Sequence, residues 1–136
     1  MMNVQELSTL AHHGLNVKLF VLNNQGYLTM RGSQDHAFGR HMGSDVESGL
    51  RFPDFAKLSH SFGLPYLRIA NPDEVENVTK VALDLPGPVF IEVMADPNQV
   101  LEPKSVNKRV DGKIIQTPIE DAWPYLPKEE LEANLQ

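Results

Sequence analysis

Two asparagines and a glycine follow the most apolar run near the start of the chain, and their types and spacing could serve a ligand site. Asn23 and Asn24 come directly after residues 17–22, five of which are apolar, and Gly26 stands two positions further on. Such a run, bounded by turn residues, is typical of a buried parallel strand. Ligands of open α/β sheets bind in the crevice outside the carboxyl ends of the strands. We therefore predict that Asn23, Asn24 and Gly26 form the centre of a cofactor site.

A simpler interpretation of the same residues is a turn. Asn tolerates left-handed backbone geometry and its side chain bonds to its own backbone, so an Asn-Asn pair after a strand often only closes a loop. Taken alone, the pair favours the turn. The surrounding sequence has to decide between the two interpretations.

Length, charge and composition limit the class of protein. The chain has 136 residues, a mass of 15.2 kDa, a formal net charge of −6 and no cysteine. This length supports one modest core, and we expect one unit with a tail. The acidic balance argues against a nucleic-acid or anionic-membrane surface, and the lack of cysteine excludes disulfides and cysteine-based metal sites. No secretory signal or membrane span is evident, so we expect a cytoplasmic protein.

The first elements would position the Asn-Asn pair. Asn3 and Glu6 have the spacing of a capping box, apolar residues then recur at helical intervals, and Gly14 can end the helix in a left-handed conformation. After the strand, residues 27–31 can form a short helix whose amino end points amides at a ligand. Residues 32–50 carry several glycines and mixed charges, and we interpret them as an irregular lid or interface segment.

Helices and strands then alternate. The predicted elements are a helix over 53–63, a strand over 66–69, a helix over 71–85 and a strand over 89–94. This alternation predicts right-handed βαβ crossovers and an α/β, doubly wound, mainly parallel sheet. We expect residues 1–103 to form the domain and residues 104–136 to form a tail that packs on the domain or on a partner. A strand or hairpin arm over 113–116 and a helix over 128–134 are predicted within the tail.

In order along the chain, three segments resemble the cofactor domain of one enzyme family. Residues 2–27, ending in Val-Leu-Asn-Asn-Gln-Gly-Tyr, are similar to the second half of the thiamine-diphosphate motif, which runs from Gly-Asp-Gly to Asn-Asn. Residues 53–58 and 87–93 are similar to the C-terminal thiamine-diphosphate-binding domain of acetolactate-synthase-like enzymes. The resemblance favours a cofactor site over a simple turn.

The resemblance implies thiamine diphosphate held through Mg²⁺. Asn24 would give the metal its amide oxygen and Gly26 its backbone carbonyl, while the amides of Tyr27 and Leu28 would face the phosphates. Leu28, Thr29 and Met30 would lie closest to the thiazolium and the substrate. The family takes the metal's carboxylate from the Gly-Asp-Gly element, which would lie upstream of Met1, so we expect a truncated domain that lacks its N-terminal strand or strands.

The same resemblance implies the activity and the partners of an intact relative. Such an enzyme would decarboxylate a 2-oxo acid such as pyruvate and join the product to a second carbonyl compound. It would need a pyrimidine-binding domain or subunit, and it would be a homo-oligomer. We expect no catalytic residue in this chain and no catalysis by the chain alone.

Two further hypotheses stand beside this one. A different class of function is a non-catalytic α/β interaction module that dimerises or binds an intact homologue. A histidine-based metal site is the weaker hypothesis, because His12 and His13 are adjacent, and His36 and His41 lack the His-Glu-x-x-His spacing.

Overall fold

The computed structural model describes residues 3–99, 101–105 and 107–135, and these form two compact units, Met1–Asn98 and Gln99–Gln136. The first unit contains a three-stranded sheet. Its strands are β1 (Lys18–Asn23), β2 (Tyr66–Ile69) and β3 (Val89–Met94), in the order β1-β3-β2 with both pairs parallel. The α/β class and the parallel sheet are confirmed.

Helices cover both faces of this sheet. They are α1 (Glu6–His13), α2 (Leu28–Phe38), α3 (Phe55–Ser61) and α4 (Val75–Asp84), the last preceded by a 3-10 turn over Pro72–Glu74. Side chains of α1 and α3 pack with Phe90 of β3 in one cluster, and side chains of α4 pack with Ile91 in a second. Neighbouring residues of a strand point to opposite faces of the sheet, so Phe90 packs in one layer and Ile91 packs in the other.

The start of α1 differs from the prediction. Gln5 is the N-cap residue and makes no side-chain cap, while the Glu6 carboxylate accepts a hydrogen bond from Thr9 Oγ1 at 3.0 Å. The predicted capping box is therefore wrong. Gly14 does end the helix with φ 57°, as its lack of a Cβ permits.

Strand β1 lies at the edge of the described sheet, and β3 occupies the centre. Ile91 of β3 is fully buried, whereas Phe20 is 40% exposed and Leu22 is 70% exposed. The prediction of a fully buried strand after α1 is therefore wrong. An apolar run indicates burial but does not tell which strand receives neighbours on both sides.

Helix α2 is longer than the sequence predicted. It runs through Phe38 and includes Gly32, so the irregular segment begins at Gly39, where φ is 60°. Few apolar residues mark the second half of this helix, which explains why periodicity missed it.

The second unit holds an antiparallel hairpin, β4 (Asn107–Val110) with β5 (Lys113–Gln116), and a final helix, α5 (Lys128–Asn134). Backbone hydrogen bonds join Lys104 to Trp123 in both directions, at 2.9 and 2.7 Å. The Lys104 ammonium also lies 5.2 Å from the centre of the Trp123 ring. The predicted arm over 113–116 and the terminal helix are confirmed.

Within the described ranges, we find no helix of the length and hydropathy that crossing a bilayer requires.

Candidate functional site

The turn after β1 is built by the side chains of the two asparagines. Asn23 Oδ1 accepts a hydrogen bond from the Gln25 amide at 3.1 Å, and Asn24 Oδ1 accepts one from the Gly26 amide at 3.3 Å. Between them Gln25 adopts φ 56°, a left-handed conformation that is uncommon for a residue with a side chain. Such conformations cluster at ligand sites, because surrounding contacts must hold them in place. The turn interpretation and the site interpretation are thus compatible.

Asn23 is anchored to the sheet by its other side-chain atom. Its Nδ2 donates to Glu92 Oε1 at 2.5 Å, and the Tyr66 hydroxyl donates to Glu92 Oε2. Glu92 is only 8% exposed although it is charged, and the two donors satisfy both of its oxygens. One carboxylate therefore ties all three strands together beneath the turn.

This network also changes the acidity of the tyrosine. Burial and, next, the hydrogen bond to the Glu92 carboxylate together raise the pKa of Tyr66 to about 12. Ionised tyrosine would place a second negative charge beside Glu92, so the neutral hydroxyl is favoured. The hydroxyl therefore stays a donor to a more alkaline pH than that of an ordinary tyrosine does.

Gly26 lies where a side chain would collide with neighbouring atoms. A Cβ on this residue would meet the Ser44 carbonyl oxygen at 2.7 Å and the Arg31 guanidinium carbon at 3.2 Å. Gly26 also forms an isolated antiparallel bridge with Asp45. Glycine is therefore favoured here because it permits the close approach of backbone to backbone.

Helix α2 begins immediately after this turn. Its N-cap residue, Tyr27, is extended and supplies no side-chain cap, and the first turn of the helix contains no acidic residue. The Tyr27 amide donates to the Ser44 carbonyl at 2.8 Å. This amide is thus engaged by the protein, and the donors at the amino end of α2 are the amides of Leu28 and Thr29, which have no partner within the helix.

Residues 42–48, here called the 42–48 loop, are held against α2 by Gln34. Gln34 Oε1 accepts from the Met42 amide at 3.0 Å and from Ser44 Oγ at 2.8 Å, and Gln34 Nε2 donates to the Met42 carbonyl at 3.0 Å. Ser44 is completely buried. This loop therefore fixes the position of Gly26 and Tyr27.

Sequence reasoning did not find Gln34 or Ser44, because their contact joins helix α2 to a loop without regular periodicity. The one available signal was Asp45 and Ser48, a pair spaced for a local turn. In the structure the Ser48 amide donates to Asp45 Oδ1 at 2.8 Å. Hydrogen bonds from Ser48 lower the pKa of Asp45, and the bond from the Ser48 side chain has a larger effect than the bond from its backbone.

His41 is held between two carboxylates. Its Nε2 lies 2.8 Å from Asp35 Oδ1, and its Nδ1 lies 2.7 Å from Asp45 Oδ2. In the described part of the chain, no three histidine or acidic side chains gather in a way that could hold a metal ion. The side chain of His36 lies outside the described residues.

The polar groups at the turn suit a bound anion better than a bound metal ion. Mg²⁺ requires an octahedral shell of oxygens that usually includes a carboxylate, and the turn offers the neutral oxygens of Asn24 and Gly26. The nearest acid in this loop, Asp45, already contacts His41 and Ser48. The uncapped amino end of α2 suits a phosphate group, since its amides and dipole both favour negative charge.

The chain is similar in sequence to one known protein family. A family model described as the C-terminal TPP binding domain of thiamine pyrophosphate enzymes matches residues 1–93. The matched range covers the Asn-Asn turn and the three-stranded sheet except for Met94, the last residue of β3.

Three acetolactate synthases illustrate the similarity to individual proteins. The large subunit from Pyropia yezoensis is 35% identical over 115 residues, which are 84% of this chain and 19% of that protein. The large subunit from Haemophilus influenzae is 35% identical over 107 residues, 77% of this chain and 18% of that protein. Acetolactate synthase 1 of maize, Zea mays, is 32% identical over 105 residues, 73% of this chain and 16% of that protein. The chain thus spans about a fifth of the length of these relatives.

Proposed function

Because the chain belongs to the thiamine pyrophosphate enzymes, through their C-terminal TPP-binding domain, we propose that it is the diphosphate-binding part of a thiamine-diphosphate- and Mg²⁺-dependent enzyme. The proposed parent is an acetolactate-synthase-like 2-oxo-acid decarboxylase and carboligase. Asn24 and Gly26 are the proposed metal ligands, and the amides of Leu28 and Thr29 complete the proposed cofactor contacts. The Tyr27 amide, expected from the sequence to face the phosphates, donates to the Ser44 carbonyl instead.

The observation that carries this proposal is the conformation of the turn between β1 and α2. A left-handed Gln25 separates Asn24 from Gly26, and the uncapped amino end of α2 follows at once. This brings a neutral amide oxygen, a backbone carbonyl and amides without a partner within the helix to the carboxyl end of a parallel strand, which is where α/β folds bind ligands.

Each group in the turn has a separate role in the proposal. Asn24 and Gly26 orient the metal, the amides of Leu28 and Thr29 bind phosphate oxygens, and Asn23 holds the turn on Glu92. When bound, the cofactor supplies the carbon nucleophile that attacks the carbonyl of a 2-oxo acid such as pyruvate. The carboxylate for the metal and the pyrimidine-binding domain or subunit are proposed to come from outside the described site.

The rival function is a non-catalytic interaction module. It is favoured by one observation, the exposure of Phe20 and Leu22 on the edge strand β1. An unpaired strand edge with apolar side chains readily pairs with another chain. A dimer of this chain, or a complex with an intact homologue, would cover that edge.

Calorimetric titration separates the two functions. The chain is titrated with thiamine diphosphate, once with Mg²⁺ and once with a chelator, and the Asn24→Ala variant is compared with Asn77→Ala, which changes an exposed asparagine of α4. Saturable binding that needs Mg²⁺ and that only Asn24→Ala weakens supports the cofactor site. A stable oligomer that binds no thiamine diphosphate in either condition supports the interaction module.

The expected cytoplasmic location stays a prediction. Fractionation of cells that express the chain, followed by detection with an antibody, would test it directly.

A further inference from the structure

Arg31, in the first turn of α2, is a buried cation without a counterion in the described part of the chain. Its side chain belongs to a residue only 8% exposed, and its Nε and Nη2 atoms are buried with no hydrogen-bond partner there. A buried guanidinium that lacks partners is costly, and unsatisfied groups of this kind in folded proteins call for an explanation. A ligand that arrives with negative charge would supply one.

The two unpaired atoms are the ones that an oxyanion needs. Nε and Nη2 lie on the same edge of the planar guanidinium, so their N–H bonds point in nearly parallel directions. This edge can make a bidentate contact with phosphate or carboxylate oxygens, which is the strong form of an arginine interaction. If the guanidinium were held only by packing, there would be no reason for Nε and Nη2 in particular to lack partners.

The guanidinium lies at the turn that leads into α2. A Cβ on Gly26 would be 3.2 Å from Arg31 Cζ and 3.3 Å from its Nε. The same end of α2 carries amides that have no partner within the helix, and its first turn has no acidic residue. The helix dipole and the arginine therefore place positive charge together, with nothing in that turn to neutralise it.

The nearest acid of the 42–48 loop is not the counterion of Arg31. Asp45 pairs with Gly26 through the backbone, but its carboxylate oxygens contact the His41 ring at 2.7 Å and the Ser48 amide at 2.8 Å. Asp35, the other acid on this side of α2, also contacts His41. Both carboxylates are directed toward the histidine.

We propose that Arg31 is a phosphate-binding residue that lets this turn hold a diphosphate group without a divalent cation. The choice of a diphosphate as the anion rests on the proposed function, whereas the need for an anion rests on Arg31 itself. The positive charge that Mg²⁺ would bring to the site is in this chain partly supplied by the guanidinium. Binding of a diphosphate is then strengthened by Mg²⁺ but not abolished by its removal.

Inorganic pyrophosphate in excess chelator is the probe for this site. Saturable binding measured by calorimetry is expected for the unaltered chain, and Arg31→Met is expected to weaken it about tenfold or more, since charge-assisted hydrogen bonds are lost. Arg31→Lys keeps the charge but loses the planar fork, so an intermediate affinity is expected. Arg51→Met, which changes an exposed arginine, is the matched control and should bind as the unaltered chain does.

The melting temperature without ligand distinguishes a ligand-binding arginine from one that only stabilises the fold. Replacing an unpaired buried charge by an apolar residue of similar length should keep or raise the melting temperature. Pyrophosphate should then raise the melting temperature of the unaltered chain but not that of Arg31→Met. A lower melting temperature for Arg31→Met together with unchanged pyrophosphate binding would overturn the proposal.

The outcomes also separate this proposal from the proposed function. Binding of thiamine diphosphate only with Mg²⁺, and equally by Arg31→Met, would overturn the role of Arg31 and leave the cofactor site intact. Metal-free pyrophosphate binding that requires Arg31, without binding of thiamine diphosphate in any condition, would support Arg31 and refute the cofactor site. Equal displacement of pyrophosphate by acetate would show a carboxylate site and overturn the assignment to phosphate.

Discussion

Asn23 and Glu92 stand on neighbouring parallel strands, and the Nδ2 atom of Asn23 donates to Oε1 of Glu92 at 2.5 Å. This contact gives the first asparagine a structural role, while the side-chain oxygen of the second, Asn24, accepts a hydrogen bond from the Gly26 amide at 3.3 Å. The Tyr66 hydroxyl donates to the other oxygen of the same carboxylate. The stability of the candidate site therefore depends on a residue of the central strand that does not belong to the turn.

Replacing Glu92 with alanine should destabilise the fold and the turn together. The change leaves the Asn23 amide and the Tyr66 hydroxyl without their acceptor, which should lower the free energy of unfolding by about 2 to 4 kcal/mol. Urea denaturation measures the loss. Glu76→Ala, an exposed change on α4, should alter stability by only about 0.5 kcal/mol, and an equal loss in both variants would contradict the role of Glu92.

The tyrosine of this network should determine part of the alkaline limit of stability. The pKa of Tyr66 is about 12 in the folded chain against an ordinary value of 10.0, so the folded state keeps the proton longer. Its contribution is fully present below pH 10 and is lost as the pH rises toward 12. Tyr66→Phe should therefore make the fall in stability across this interval shallower, as measured by urea denaturation at a series of pH values. Tyr125→Phe, in the second unit, should leave the slope unchanged, and a steep slope that survives Tyr66→Phe would assign it to another group.

Two glycines of the α2 region should respond to alanine in opposite directions. At Gly26 a Cβ would collide with the Ser44 carbonyl at 2.7 Å, so the 42–48 loop must move, at a cost of about 1 to 3 kcal/mol. At Gly32 a Cβ meets nothing within 4 Å inside a helix, so alanine should stabilise by about 0.5 to 1 kcal/mol. Thermal or urea unfolding of both variants tests the pair. Equal effects would show that the close approach at Gly26 carries no cost.

The edge strand should make the chain self-associate. Leu22 is 70% exposed on β1, and the strand presents an unpaired edge in the described sheet. Sedimentation velocity should detect association that grows with concentration and that Leu22→Lys reduces. Leu83→Lys, on the exposed side of α4, should not reduce it. A stable monomer at high concentration would contradict this prediction.

Local patterns in the sequence predicted much of the first unit. Residues 66–69 and 89–94 were recognised as strands from their apolar runs, and the spacing of valines and leucines predicted α4. Such patterns are readable because they depend on neighbours within a few positions. The Asn-Asn turn was recognisable for the same reason, and with it the family.

The tertiary structure decided which residues distant in the sequence form hydrogen bonds and contacts with one another. Asn23 and Glu92 are 69 positions apart, and nothing in either segment alone indicates that one satisfies the other. The burial of Arg31 beside Gly26 and the docking of Ser44 on Gln34 likewise arise from how the 42–48 loop folds back on α2. Sequence by itself thus determined the elements and the identity of the turn, because local preferences are encoded locally. Which polar groups are paired, which strand forms the edge and which cation lacks a counterion follow only from packing in three dimensions, where burial and hydrogen bonding are decided.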